Sequence, residues 1–198
     1  MDSCAACHRL SGSGENFAFP MLAGNSGVLN SDPSSLIAVI LNGARLPSTN
    51  DGLRCADAGL VINPNSAYLY ATRGIAEAYL RQFEQAKSDV EQARRLSPRD
   101  PRIGQWHNFM ASAELGLGHF DAAIDEANKA IDAGWRSFYS YQNLASAHAL
   151  KGDIDQAKAP LAEARRLNPK FSVKWLVGNE PFLQPAFDAL RKAGLPEE

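Results

Sequence analysis

Three stretches of the chain carry the same succession of apolar, small and charged positions: RQFEQAKSDVEQARRLSP, GHFDAAIDEANKAIDAGW and GDIDQAKAPLAEARRLNP. In each, an apolar residue (Phe83, Phe120, Ile154) is followed three places on by an alanine (Ala86, Ala123, Ala157) and seven places beyond that by another (Ala93, Ala130, Ala164). Steps of three and seven return to one side of an α-helix, so each stretch predicts a helix with a narrow face of small residues. Such a face lets a second helix approach closely, and the residues upstream of each stretch supply the other half of an antiparallel pair. Gly74, Ala111 and Ala145 stand at the crossing points in those first helices. Ala123 and Ala157 are 34 residues apart, while Ala86 and Ala123 are 37 apart, an interval stretched by the connection over residues 98–101 with proline at each end.

A 34-residue period of paired helices with small residues at the crossings resembles the tetratricopeptide (TPR) repeat. The resemblance implies an all-α solenoid of helical hairpins over residues 51–198, with repeats over residues 67–100, 104–137 and 138–171. Glu77 and Arg81 stand where an apolar residue and a glycine are commoner, and Trp135 replaces a closing proline. Upstream, Ala58-Gly59-Leu60-Val61-Ile62-Asn63-Pro64 has the look of the end of a second helix, so residues 52–64 are expected to form half a repeat. Downstream, residues 171–178 and 181–192 predict two further helices, with Trp175, Phe182, Phe187 and Leu190 apolar, and residues 172–193 are assigned as a cap before a polar tail. Residues 65–198 are similar to TPR regions found behind adenylate cyclase or winged-helix domains in soil bacteria, and neither of those domains is recognised in this sequence.

The first fifty residues follow a different pattern and are assigned to a separate segment. Asp32 can cap a helix opened by Pro33, and Leu36, Ile37, Ile40 and Leu41 form an apolar stripe that Gly43 ends. This helix is expected to fold back on residues 52–62, covering Leu53, Leu60 and Ile62. Ahead of it stands Cys4-Ala5-Ala6-Cys7-His8, the spacing by which two thiols hold a haem's vinyl groups and the histidine reaches its iron. With the following CAACHRLSGSGENFAFPMLAGN and DPSSLIAVILNGARLPST, it resembles the small cytochrome c domains that accompany membrane-bound alcohol and sugar dehydrogenases of bacteria. The resemblance implies haem c attached at Cys4 and Cys7 with His8 as the proximal metal ligand. It also implies a distal methionine loop, which this sequence replaces with Asn50-Asp51-Gly52, leaving the distal ligand unassigned. Met21 lies in a segment expected on the proximal side and is read as a flexible apolar gap-filler.

A net charge of -2 offers no field to attract nucleic acid or an anionic membrane, and there is no run of 18 apolar residues to span one. Met1 stands three positions before Cys4, so a cytoplasmic location is expected if it is the true start, and a periplasmic one if a signal peptide lies upstream. Placing the repeats in register puts Tyr68, Tyr79, Gln105, Asn108, Ser112, Tyr139, Gln142 and Ser146 on the first-helix faces that line a TPR groove. They make an adaptable surface for a protein or peptide partner, and none is basic, which argues against a carboxylate clamp there. The alternative is that these are plain solvated faces of a spacer. His107, His119 and His148 lack paired metal-ligand spacing, with His148 read as a packed core residue. Arg94, Arg95, Arg99, Arg102, Arg165 and Arg166 are read as cations at helix C-terminal ends, opposing the helix dipoles. No nucleophile or phosphate-loop motif accompanies them, so no enzyme activity is expected. The function expected is a protein-interaction module carrying a degenerate haem-binding segment. The rivals are a periplasmic c-type cytochrome with a TPR docking region, active in electron transfer, and a gene-rearrangement product without selected function.

Overall fold

The structure, a computed structural model, describes residues 50–198. Cys4, Cys7, His8, Met21 and the helix expected over residues 33–42 lie outside the described residues. The described part is helical throughout: α1 (Asn50–Ile62), α2 (Ala67–Tyr79), α3 (Phe83–Leu96), α4 (Ile103–Gly116), α5 (Phe120–Asp132), α6 (Phe138–Lys151), α7 (Ile154–Leu167), α8 (Val173–Asn179), a 3-10 segment (Pro181–Ala186) and α9 (Phe187–Lys192). Helices α2/α3, α4/α5 and α6/α7 form three hairpins, and the first helices α2, α4 and α6 lie side by side.

Local chemistry starts and stops these helices. Ser66, Ser137 and Ser172 each cap a helix, their side chains accepting hydrogen bonds from the N–H groups of Leu69, Ser140 and Trp175. Every hairpin turn reverses through a left-handed residue, with φ of 62° at Arg81, 78° at Gly118 and 95° at Gly152. The next residue's N–H then reaches back to a carbonyl of the first helix, as in the 2.9 Å bonds from Gln82 to Glu77 and from His119 to Glu114. Two of the three turns use glycine, which carries no Cβ to clash, whereas the first uses arginine.

The alanine faces meet as their spacing predicts. Ala86, Ala93, Ala123, Ala130, Ala157 and Ala164 are all buried, as are Ala111 and Ala145 opposite them. At Gly74 a Cβ would come within 2.9 Å of the Val90 side chain and 3.0 Å of the Ala86 carbonyl oxygen, so the glycine permits the closest approach. In α1, Ala56 and Leu60 are buried while Gly59 faces Leu69 of α2. Ile62, expected on the covered stripe with Leu60, is instead 65% exposed beside Val61. Two residues along a helix turn the side chain by about 200°, which takes Ile62 off that face.

The cap departs from expectation in one respect. Residues 181–192 do not form one α-helix, because Pro185 has no N–H with which to close an α-turn onto residue 181, and regular helix begins only at Phe187. The tail then returns to α8: Val173 N–H donates to the Pro196 carbonyl at 2.9 Å and Lys174 N–H to the Glu197 carbonyl at 3.0 Å, satisfying donors that a helix start leaves open. Phe138, Phe171 and Trp175 pack edge to face with centroids 5.0 to 5.9 Å apart, joining the third hairpin to the cap. Among the described residues no helix is long and apolar enough to cross a membrane.

Candidate functional site

The first-helix surface divides by depth. Tyr68, Gln105 and Tyr139 occupy the same first-turn position of α2, α4 and α6. Tyr68 and Tyr139 are 44% and 42% exposed, and Gln105 is half-buried. The Arg102 guanidinium lies over the Tyr68 ring at 4.5 Å from its centroid, and Tyr139 meets the edge of Phe138 at 5.1 Å.

One and two turns deeper the side chains leave solvent. Asn108, Ser112, Gln142 and Ser146, expected on the open groove surface, are buried. Side-by-side packing of α4 and α6 closes part of this layer: Asn143 Nδ2 donates to Asn108 Oδ1 at 3.1 Å, to the Asn108 carbonyl at 3.3 Å and to Ser112 Oγ at 2.9 Å. Ser112 Oγ in turn donates to the Asn108 carbonyl. Gln142 Oε1 and Ser146 Oγ find no hydrogen-bond partner among the described residues.

Tyr79, at the far end of α2, is also diverted. Its hydroxyl donates to Glu180 Oε1 of the cap, 101 residues away. Glu180 is buried, and that burial pushes its carboxyl up to about 7, the Tyr79 hydrogen bond pulling the other way. Leu183 and Ala186, also buried, follow it into the core shared by the third hairpin and the cap. The chain's own C-terminal segment therefore closes the deep end of the first-helix surface, and Tyr68, Gln105 and Tyr139 remain accessible.

Two ion-pair clusters join successive elements. The Arg73 guanidinium binds Asp89 of α3 and, at 3.0 Å, Asp57 of α1; these carboxylates raise its pKa against the cost of burial. Beside it, burial and the Asp89 charge push the Glu77 carboxyl up to about 7, and its Oε2 has no hydrogen-bond partner among the described residues. In the second cluster Arg94 of α3 binds Glu126 of α5, and His107 Nδ1 of α4 lies 2.8 Å from Glu126 Oε2. Burial works upward on Glu126, but the hydrogen bonds from His107 and Arg94 outweigh it and hold the carboxyl down at about 2.

These clusters connect elements and bring no nucleophile to a base. Sequence reading missed them, although Glu77 and Asp89 inside otherwise small or apolar helix faces were a usable signal, since buried carboxylates need partners. His119 faces Glu114 at 2.8 Å and His148 is half-buried, so the three histidines lie apart. Among the described residues no group of three or more His, Cys, Asp or Glu is placed to hold a metal ion.

Comparison with known proteins bears on both parts of the chain. Residues 138–171 match the tetratricopeptide repeat family. MamA 41-end from Desulfovibrio magneticus RS-1 superposes with a TM-score of 0.52 at 15% identity, covering 86% of this chain and 94% of that one. The MamA RS-1 ArsTM double mutant gives 0.51 at 15% identity, with 86% and 93% covered. At such identity the likeness is one of fold. The cytochrome c subunit of alcohol dehydrogenase (quinone) from Gluconobacter oxydans is 48% identical over 50 residues, 25% of this chain and 10% of that protein. The chain thus spans about a tenth of the length of the curated relatives it matches. Over residues 50–198 the architecture is an all-α array of tetratricopeptide-type helical hairpins closed by a helical cap.

Proposed function

We propose that the chain is a protein-interaction module that holds a peptide or protein segment across the first turns of α2, α4 and α6, and that it carries out no chemistry of its own. The observation that supports this is the row formed by Tyr68, Gln105 and Tyr139, which stays accessible where the deeper positions are closed. Tyrosine supplies large contact area for little conformational entropy, and the amide supplies adaptable hydrogen bonds. A photo-reactive amino acid placed at Tyr139 tests this in the native host. It should give a discrete cross-linked product that the same group placed at Leu167, in the second helix of that hairpin, does not. Equal labelling from both positions would count against the reading.

A second reading has its own support. The 48% identity to a cytochrome c subunit and the Cys4-Ala5-Ala6-Cys7-His8 motif favour a haem-bearing electron-transfer protein, periplasmic in location, whose helical array docks it to a redox partner. In this reading Cys4 and Cys7 form the thioether links and His8 is the proximal ligand. Bound haem would supply a one-electron couple. Expression with a periplasmic signal and the haem maturation system should then yield a Soret band that survives denaturation and acid-acetone extraction. A colourless product, made where a control c-type cytochrome is matured, would leave the interaction module as the whole function.

A further inference from the structure

The hairpin-turn end of the array holds a cavity of about 140 Å³. Phe83, Leu115, Phe120 and Leu150 from the three hairpins and Leu183 and Ala186 from the cap form its walls. The Phe83 ring lies against the backbone of Gly116, where a Cβ would come within 2.3 Å of it, so the wall depends on that glycine. An apolar cavity of this size admits a benzene-sized group. Arg81 and Pro185 also line it, and both are exposed, so the cavity opens to solvent beside a cation.

Arg81 is unusual in its backbone: it holds φ of 62° at the turn where the next two hairpins place Gly118 and Gly152. Its guanidinium makes no ion pair among the described residues, whereas Arg73 and Lys87 in the same hairpin are paired. A side chain kept in a disfavoured backbone conformation beside an apolar cavity is the kind of local strain that gathers at ligand sites.

We propose that this cavity binds the C-terminal residue of a partner polypeptide, with an apolar side chain filling the cavity and the terminal carboxylate paired to Arg81. The pairing follows from complementarity: an unpaired guanidinium at the rim and hydrocarbon walls behind it call for an anion on an apolar body. The volume suits one side chain and not an acyl chain of lipid length. The site is separate from the Tyr68 to Tyr139 row, so failure of either assignment leaves the other standing.

The test is an NMR titration of the ¹⁵N-labelled full chain with acetyl-Gly-Ser-Phe bearing a free carboxylate, with the same peptide amidated, and with octanoate. The free acid should shift the Gly116 and Gly118 amides saturably, and the amide should bind roughly tenfold more weakly. Arg81→Gly, which suits the turn, should abolish the preference for the acid, and Leu150→Trp should abolish binding by filling the cavity. Equal binding of acid and amide, undiminished binding by Arg81→Gly, or no saturable shift would each overturn the proposal. Saturation by octanoate but not by the peptide would assign the cavity to free fatty acids and overturn it as well.

Discussion

Arg81 turns the chain with a side chain that its backbone disfavours, and the equivalent glycines show what the turn prefers. Arg81→Gly should raise stability by about 1 kcal/mol, the relief of left-handed strain being partly offset by glycine's greater freedom in the unfolded chain. A higher urea midpoint would report it, and a lower one would mean that Arg81 makes compensating contacts. The buried carboxyls set the pH response. Glu77 and Glu180 titrate near 7 when folded and near 4.5 as ordinary glutamates, so between these values the folded state holds more protons. Their contribution is therefore fully present below about 4.5, and stability falls as pH rises toward 7, then levels. Glu126 acts oppositely, contributing above its ordinary value and losing that contribution as pH falls toward about 2. Glu180→Gln, which can still accept from Tyr79, should flatten part of the decline and be more stable at pH 8 by on the order of 1–3 kcal/mol. Urea midpoints from pH 5 to pH 8 would show it. None of these pairings was legible in the sequence, because Arg73 and Asp89 lie 16 residues apart and Arg94 and Glu126 lie 32 apart, in different helices.

The second helix of each hairpin was legible because its signal is local: small residues at fixed steps leave nearly the same pattern three times over. Ala123 is fully buried at such a crossing, so Ala123→Leu should cost about 1–3 kcal/mol by overpacking, measured as a lowered denaturation midpoint. Arg94→Met should cost more, roughly 3 kcal/mol, since it leaves the buried Glu126 carboxylate without its guanidinium between α3 and α5. The same measurement separates the two cases if the loss in Arg94→Met, but not in Ala123→Leu, shrinks at low pH. Reading was weaker where helix faces are not repeated. Ile62 turned out on the solvent side of α1, a turn of about 200° on from the buried Leu60, and a single short helix does not show by itself which side is covered. In the cap, Pro185 carried the information that the ladder would break, yet the apolar spacing around it masked that effect.

For the whole molecule, the interdependence of hairpins and cap is the main consequence. Residues 65–198 should fold alone as a strongly helical domain, read by circular dichroism, because each hairpin has a neighbour and the last has the cap. Removing residues 180–198 should instead expose Phe171 and Leu176 and produce dye binding with loss of cooperativity. The solenoid class was legible from its period, whereas the depth of the first-helix surface was not: Tyr68 and Tyr139 are exposed, but Asn108, Ser112, Gln142 and Ser146, expected on the same open face, are buried. Nor was the closure of the deep end legible, since it depends on Tyr79 meeting Glu180 across the whole array. The amide of Asn143 has a further consequence for how the array is put together. The hairpins repeat one succession of apolar and small positions, so that pattern alone does not fix whether the third hairpin follows the second or the first. Asn143 is satisfied only by Asn108 and Ser112, whose counterparts in the first hairpin are Ala71 and Ile75. Misordered stacking would orphan a buried amide at roughly 1–3 kcal/mol, so one asparagine supplies the fidelity of assembly that the repeating pattern itself lacks.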